Sequence, residues 1–387
     1  MHNNKAMIIS VPQPMNIVHI VRGDFTPQAL NGVYKVIDSL SATLTNVNGG
    51  GVNVTVCSVS PNPHSDIYQP QGYRHVQVRE SPLRFFLTKE FRRFLLSQPR
   101  DTVFHFHSVF IPWFLPTMRL LRRHGCQRFI LTPHGQYTDA AMNRSLKKRV
   151  FFHIFDSKVV NLSSAVHIIG HTEENDYITR NARRWQLIPN GCTPQPPCKA
   201  TGRQLIFGYL GRMDATQKGL DTLIQAFAFH RQQGGRGTLR LAGDGADLAA
   251  LQELTRQLGV ANEVEFTGKV FGERKQQFLN ACAFFLHPSR WDVVPTACME
   301  AAASGVPLIV SRATCLDTYT EHYNAGLVTT DNGRPVQSLT TAMAEAERLF
   351  EDKAQYQALC ANAQRMVGEE LNWESITRKV VGQLYTI

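Results

Sequence analysis

Short apolar, β-branched runs alternate with stretches of helical periodicity from residue 16 almost to the end of the chain. Alternation of this kind predicts parallel sheets wound by helices, rather than strands and helices segregated in blocks. In the first half the pattern predicts strands at 16–21, 52–58, 75–78, 103–106, 128–131 and 165–169. In the second half it predicts them at 205–209, 238–242, 263–266, 283–286 and 308–310. The alternation breaks at Pro189-Asn190-Gly191-Cys192-Thr193-Pro194-Gln195-Pro196-Pro197. Proline density there forbids regular structure, and Asn-Gly supplies a turn. The expected architecture is α/β: two doubly wound domains facing across a cleft, divided near residue 190. In such open sheets ligands sit beyond the carboxyl ends of the strands, and every motif below falls at such an end.

Composition narrows the class. The chain has 387 residues, 43% hydrophobic and 19% charged, as in ordinary globular proteins with room for two cores. No run of 18 apolar residues predicts a membrane-spanning helix. Met1-His2-Asn3-Asn4-Lys5 leads towards a core strand rather than a secretory leader, so cytoplasmic residence is expected. The eight cysteines include no CxxC pair, and free, mostly buried thiols are expected. Charge is unevenly placed. Residues 1–195 carry 22 Lys+Arg against 11 Asp+Glu, and the remainder 19 against 20, so the formal +10 belongs wholly to the first half.

The most informative stretch is Pro288-Ser289-Arg290-Trp291-Asp292-Val293-Val294-Pro295-Thr296-Ala297-Cys298-Met299-Glu300. An apolar strand runs through a Pro-Ser turn and an acidic loop into a helix beginning near Thr296. Free amides at a helix start attract phosphate. The flanking carboxylates, Asp292 and Glu300, suit hydroxyl groups instead, such as those of a ribose and a sugar. Earlier, a strand ending at Leu210 meets Gly211-Arg212-Met213-Asp214 and then Lys218-Gly219-Leu220-Asp221. Arg212 and Lys218 are two cations at one strand-loop-helix mouth, able to meet a diphosphate from two sides; alone, they read equally as solvated loop charges. Gly243-Asp244-Gly245 is a turn or a ligand contact, and no role is assigned to it. In the first half Gly32 opens a helix near Val33, as a plain turn or as room for a diphosphate. His134, on a Pro-His-Gly turn after a strand, is either structural or a group that donates or accepts a proton. His105 and His107 alternate along a strand, one of them expected as a core polar group. No His, Asp or Cys cluster has metal-ligand spacing, so no bound metal is expected.

As a set, Gly211-Arg212, Lys218-Gly219, Gly243-Asp244-Gly245, Pro288-Ser289 and the acidic pair closing on Glu300-Ala301 resemble the retaining glycosyltransferases of family 4. Gly32, the Pro-His-Gly turn, Pro189-Asn190-Gly191 and Trp373 extend the resemblance over nearly the whole chain. It implies the GT-B fold, with two Rossmann-like domains. Residues 1–190 would bind the acceptor and 191–372 the sugar nucleotide, and 373–387 would form a helix crossing back to the first domain. By the same resemblance Arg212 and Lys218 hold the donor diphosphate, with Gly32 beside it. Amides near Thr296 and Ala297 reach its phosphates, Glu300 binds the ribose hydroxyls, Asp292 the transferred sugar, and His134 lies beside that sugar. It also implies retention of anomeric configuration, no cofactor and no metal, and a nucleotide-sugar donor, UDP favoured over GDP. The chain departs from the family pattern at Asp292-Val293, where Glu-Gly is usual; a carboxylate shorter by one methylene reaches about 1.5 Å less far.

The basic half suggests an anionic partner. On a helical wheel of Leu83–Leu96, Leu83, Phe86, Leu87, Phe91 and Phe94 share one face, with Lys89, Arg92 and Arg93 opposite. That is either a core-facing helix with a solvated back or a helix resting on an anionic membrane. No nucleic-acid recognition signature is present, so a nucleic acid is not expected. The family resemblance implies a saccharide acceptor, often on a lipid diphosphate carrier; with the basic half, it leads to the expectation of work at the inner face of a bacterial cytoplasmic membrane in O-antigen, capsule or exopolysaccharide assembly. Two rival readings stay open: a sugar-nucleotide epimerase on the same fold, and a scaffold subunit that has lost turnover.

Overall fold

The computed structural model describes residues 15–26, 32–46, 51–64, 67–70, 72–195, 203–330 and 332–386. The chain divides into two compact units, residues 1–191 with 373–387, and residues 192–372.

The first unit is built on a seven-stranded parallel sheet. Its strands are β1 (Met15–Arg22), β2 (Val52–Ser60), β3 (Arg74–Arg79), β4 (Val103–His107), β5 (Phe129–Thr132), β6 (Ala165–Ile168) and β7 (Trp185–Leu187), in the spatial order β3-β2-β1-β4-β5-β6-β7. β4, β5 and β6 are buried along their whole length, the histidines of β4 and β6 included, as expected of central strands covered on both faces. Two apolar clusters cover the sheet, one around Phe104, Phe106, Trp113 and Phe129, the other around Ile17, Ile37, Val54 and Ile130. The second cluster is completed by the end of the chain. Helix Trp373–Val380 and the π-helical turn Val381–Tyr385 bring Ile376, Val380, Leu384 and Tyr385 into it. Gly191 lies flat against Trp373, and a Cβ there would strike the indole.

The second unit has a six-stranded parallel sheet: β8 (Ile206–Leu210), β9 (Thr238–Ala242), β10 (Val264–Gly268), β11 (Phe284–His287), β12 (Leu308–Ser311) and β13 (Gly326–Thr329), ordered β10-β9-β8-β11-β12-β13. Apolar clusters again lie on both faces, around Phe207, Leu223 and Phe284, and around Phe285, Met299 and Val310. Strand order reverses between β1 and β4 in the first sheet and between β8 and β11 in the second. Such switch points open a crevice at the carboxyl edge of a doubly wound sheet.

One predicted element is corrected. The amphipathic segment is helical only from Lys89 to Leu96, capped by the Thr88 side chain on the Phe91 amide. Phe91 and Leu95 enter the core, so the helix faces inward, whereas Leu83 and Phe86 precede it and are each 64% exposed. The longest basic stretch, around Lys147-Lys148-Arg149, belongs to a helical run of three parts: Leu146–Phe151, a π turn Phe152–Asp156, and Ser157–Leu162. The seven described cysteines are all free and buried. Among the described residues no helix is long and apolar enough to cross a membrane.

Candidate active site

The second unit gathers its predicted residues at the β8/β11 switch point. β8 ends at Leu210, and the loop after it is tied to the next strand's exit by the Gly211 amide on the Ala242 carbonyl (3.0 Å) and the Met213 amide on the Asp244 carbonyl (3.0 Å). That contact explains Gly243. Its φ is +144°, and a side chain there would run into the Gly211 carbonyl. Asp214 then caps the turn Ala215–Lys218 by accepting from the Gln217 amide at 2.8 Å. Gly219 ends the turn with φ +66°, packed so tightly on the Pro288 carbonyl that no Cβ fits. The two motifs therefore touch through backbone.

Lys218 Nζ is bonded to Asp292 Oδ2. His287 Nε2 lies 2.8 Å from the same oxygen, and the Val293 amide donates to Oδ1 at 3.0 Å. The Lys218 and Asp292 side chains are only 14% and 16% exposed. Burial pushes the Asp292 carboxyl up, but the His287 hydrogen bond and the Lys218 charge outweigh it and hold the group well below the usual carboxylate range. Burial likewise pushes His287 down, against the pull of Asp292. His287 is therefore a neutral imidazole donating from Nε2, and its buried Nδ1 has no partner. Its ring stacks on Tyr209 of β8, centroids 5.7 Å apart. Asp292 thus enters the site already engaged at both oxygens, and Lys218 enters it paired. Sequence reasoning missed His287, although a polar residue closing the apolar run Phe284-Phe285-Leu286 was a legible signal.

Arg212 differs. Its side chain is 61% exposed, 2.6 Å from the neutral Gln217 oxygen and 3.6 Å from Asp214. It is the predicted cation with the most freedom to turn to an anion. The helix Thr296–Ala303 begins after Pro295, whose carbonyl takes the Cys298 and Met299 amides at 3.1 and 3.4 Å. Thr296 and Ala297 precede them as open donors. One turn on, Glu300 pairs with Lys275 at 2.8 Å, the two side chains 30% and 25% exposed.

His134 lies in the first unit. It adopts φ +54°, uncommon for a residue with a side chain, and the next residue, Gly135, has φ +78°. The turn is pinned by Glu173, whose two oxygens accept from the Gly135 amide at 2.7 Å and the Ile169 amide at 2.8 Å. Burial raises that carboxyl to about 7, against those amides. Gly32 begins the helix Gly32–Leu44 and is exposed, with nothing within 4 Å of where a Cβ would be. Residues 27–31 of its loop lie outside the described residues.

Around His134 the sheet assembles a histidine network that the sequence did not suggest. β1 and β4 pair His19 with His105 in register, and His107 shares their face, being two residues on; both β4 histidines are buried. Hydrogen-bond logic fixes one chain of protons. His167 Nε2 lies 2.8 Å from the Ile188 carbonyl and must donate, so its Nδ1 accepts from the Thr132 hydroxyl at 3.0 Å. Thr132 Oγ1 then accepts from His105 Nε2, and His105 Nδ1 accepts from the Tyr385 hydroxyl, both at 2.6 Å. The second chain runs from His19 Nδ1 to His107 Nε2 (2.8 Å) and from His107 Nδ1 to His134 Nε2 (3.1 Å). His19 Nε2 is buried without a partner. Because an orphaned buried N–H is the rarer kind of unsatisfied group, the protons run outward and His134 presents Nδ1–H at its exposed edge. Nitrogens of His19, His105 and His107 lie within 4.8 Å of one another, but both of His105's are already in hydrogen bonds, a poor start for a metal site. Burial holds His19 and His134 down to about 3, so both are neutral.

Comparison with known proteins identifies the family and the fold. Residues 198–366 match the family described as "Glycosyl transferases group 1" and residues 30–195 match "Glycosyltransferase Family 4". A GDP-mannose-dependent alpha-(1-6)-phosphatidylinositol monomannoside mannosyltransferase of Mycobacterium tuberculosis is 29% identical over 171 residues, 42% of this chain and 43% of that protein. A GDP-mannose-dependent alpha-mannosyltransferase of Corynebacterium glutamicum is 29% identical over 184 residues, 47% of this chain and 40% of its own length. The alignments thus span less than half of these relatives. Among solved structures, sucrose-phosphate synthase from Thermosynechococcus elongatus superposes with a TM-score of 0.72 at 20% identity, covering 96% of this chain and 98% of that one. The Anabaena protein HepE, solved with UDP and glucose, gives 0.69 at 15% identity, covering 96% and 100%. Matched through both of its halves, the chain belongs to glycosyltransferase family 4 and has the two-domain GT-B fold.

Proposed function

We propose that the chain is a retaining glycosyltransferase that moves a hexose-type sugar from a nucleotide-sugar donor to a saccharide acceptor, carried on a lipid diphosphate, in bacterial surface polysaccharide assembly. The observation that carries this reading is the β8/β11 crevice, where Arg212, the paired Lys218 and the open amides of Thr296 and Ala297 gather at one sheet edge. Breaking the bond from the sugar's C1 to phosphate puts negative charge on the diphosphate, and preorganised cations and amides stabilise it there. The departing phosphate oxygen accepts the acceptor's proton on the same face. Cations and helix amides supply the neutralisation, so the chemistry requires no metal. Glu300 takes the ribose hydroxyls and Lys218, held by Asp292, meets the diphosphate. His134 donates from Nδ1 to a sugar oxygen, and Gly32 leaves room beside it. Residues 1–190 serve the acceptor, 191–372 the sugar nucleotide.

Because Asp292 grips Lys218 and His287, its role in this reading is to fix the cation first and to meet the sugar second. The donor base is proposed as UDP, with GDP next: HepE was solved with UDP, whereas the mycobacterial and corynebacterial relatives are named for GDP-mannose. The protein works at the inner face of the cytoplasmic membrane, a reading supported by the net charge of its first half. A thermal-shift screen against UDP-, GDP-, ADP- and dTDP-sugars tests the donor, since a ligand that binds only the folded state raises its melting temperature. Product analysis with and without acceptor then tests the reaction. Transfer supports the reading; epimerised donor without acceptor, or a bound donor that is never consumed, overturns it.

A further inference from the structure

We propose that the N-terminal unit carries a binding site for the phosphate headgroup of a membrane lipid, built by Arg119, Arg122, Arg123 and Lys158. The inference deepens the membrane reading above and rests on it. These four cations line a cavity of 660 Å³ with Ser157 and Asn161, and no carboxylate lines it. They come from two packed elements, the end of the helix Phe114–Arg123 and the last part of the helical run Ser157–Leu162. Some exposed arginines elsewhere are neutralised, as Arg236 is by Glu347 and Arg348 by Glu345. Others, Arg92 and Arg93 among them, form no ion pair among the described residues but do not line this cavity. Among the described residues none of the four cavity cations forms an ion pair. Arg122 and Arg123 suit the negative end of their helix dipole. That accounts for neither Arg119 nor Lys158, nor for a concave site holding four like charges.

The cavity is broad and open, with room for a headgroup whose phosphate accepts charge-assisted hydrogen bonds from several of its cations at once. The surface beside it identifies the rest of the molecule. Leu146, Val150 and Ile154 recur every four residues along the same helical run, 67%, 49% and 48% exposed, and the next step of four reaches Lys158. Phe85 packs on Phe155 with ring centroids 4.8 Å apart, beside the exposed Leu83 and Phe86. A row of uncovered aliphatic side chains leading to a phosphate cavity fits an amphiphile, whose chains cover the row while its head enters the cavity. A nucleic acid would leave that row exposed to water, and so would a free anion.

The test is sedimentation of the full chain at low salt with phosphatidylcholine vesicles containing phosphatidic acid or phosphatidylglycerol. Three proteins are compared: the unaltered chain, Arg119→Gln/Arg122→Gln/Lys158→Gln, and a charge-matched control, Lys89→Gln/Arg92→Gln/Arg93→Gln. At roughly fivefold per lost cation, the cavity variant should bind about a hundredfold more weakly. The control should lose no more than about fivefold, and Leu146→Ser/Val150→Ser/Ile154→Ser should also be impaired. Equal losses in the two charge variants would overturn the cavity while leaving membrane binding in place. Absence of vesicle binding by the unaltered chain would remove both. Displacement from vesicles by inorganic phosphate, where equal ionic strength of chloride has no effect, would reassign the cavity to free anions and overturn the lipid.

Discussion

Asp292→Asn keeps the shape of the side chain and its ability to accept from His287, but removes its charge. Lys218, 14% exposed, is then left with no counter-ion. At an effective dielectric of about 20, two unit charges ~4 Å apart attract by about 4 kcal/mol. Stranding one partner of a buried pair costs about 3 kcal/mol or more. For a unit the size of residues 192–372, that lowers its Tm by about 6–12 °C. The carboxyl's folded pKa lies below its unfolded value of about 3.9. Its contribution is therefore complete above about pH 4 and disappears as pH falls through the folded value. The Tm gap between wild type and variant should stay constant from about pH 8 to 5 and shrink below about pH 4. Lys218→Met in the Asp292→Asn background should recover part of the loss, and a double-mutant cycle by calorimetry should give a coupling of about 2–3 kcal/mol. A coupling below about 0.5 kcal/mol, or a gap that persists unchanged in acid, would refute the argument that this pair is buried and charged.

Three further outcomes follow from the same structure. Arg212→Ala, at an exposed position, should lower sugar transfer by about a hundredfold while leaving Tm unchanged; turnover near wild type would remove its assignment to the diphosphate. The first unit should be acid-labile. His19, His134, His167, His105 and His107 are all held well below 6.5, so the unfolded chain binds about five protons that the native state refuses as pH falls through 6. Glu173, raised to about 7, and Asp156, raised to about 6, return two, and stability should fall by about 4 kcal/mol per pH unit near pH 5. A Tm that is flat between about pH 7 and 5 would contradict this. His107→Phe breaks the proton chain to His134, and nitrogen-15 NMR should show His134 change from a single Nδ1–H tautomer to a mixture; an unchanged signal would mean that His107 does not set the tautomer.

Most of the fold was legible because both sheets are buried on both faces, so β5 and β11 appear as short, mainly apolar runs, and β4 and β6 as apolar runs interrupted only by histidine. β7 and β13 escaped because Trp185-Gln186-Leu187 is a half-exposed edge and Gly326 opens a four-residue strand too short to show a period. The helix after Thr88 was read too long because its wheel joined Leu83 and Phe86 to an apolar face that begins only at Phe91. At the site, spacing alone brought Asp292, Thr296 and Glu300 together, since one turn and one helix start separate them. The bond from Lys218 to Asp292 spans 74 residues and exists only because β8 and β11 are neighbours. The histidine network is hidden for the same reason. Residues 19, 107 and 134 meet through parallel register across three strands, which no local pattern encodes.

In the proposed mechanism a nucleotide diphosphate is held at the carboxyl edge of the second unit's sheet. Hydrogen–deuterium exchange with saturating UDP or GDP measures that location directly. Slowed exchange is expected in 211–219 and 292–300, and its loss in Arg212→Ala. Protection confined to other segments, or none with any nucleotide diphosphate, would contradict that placement.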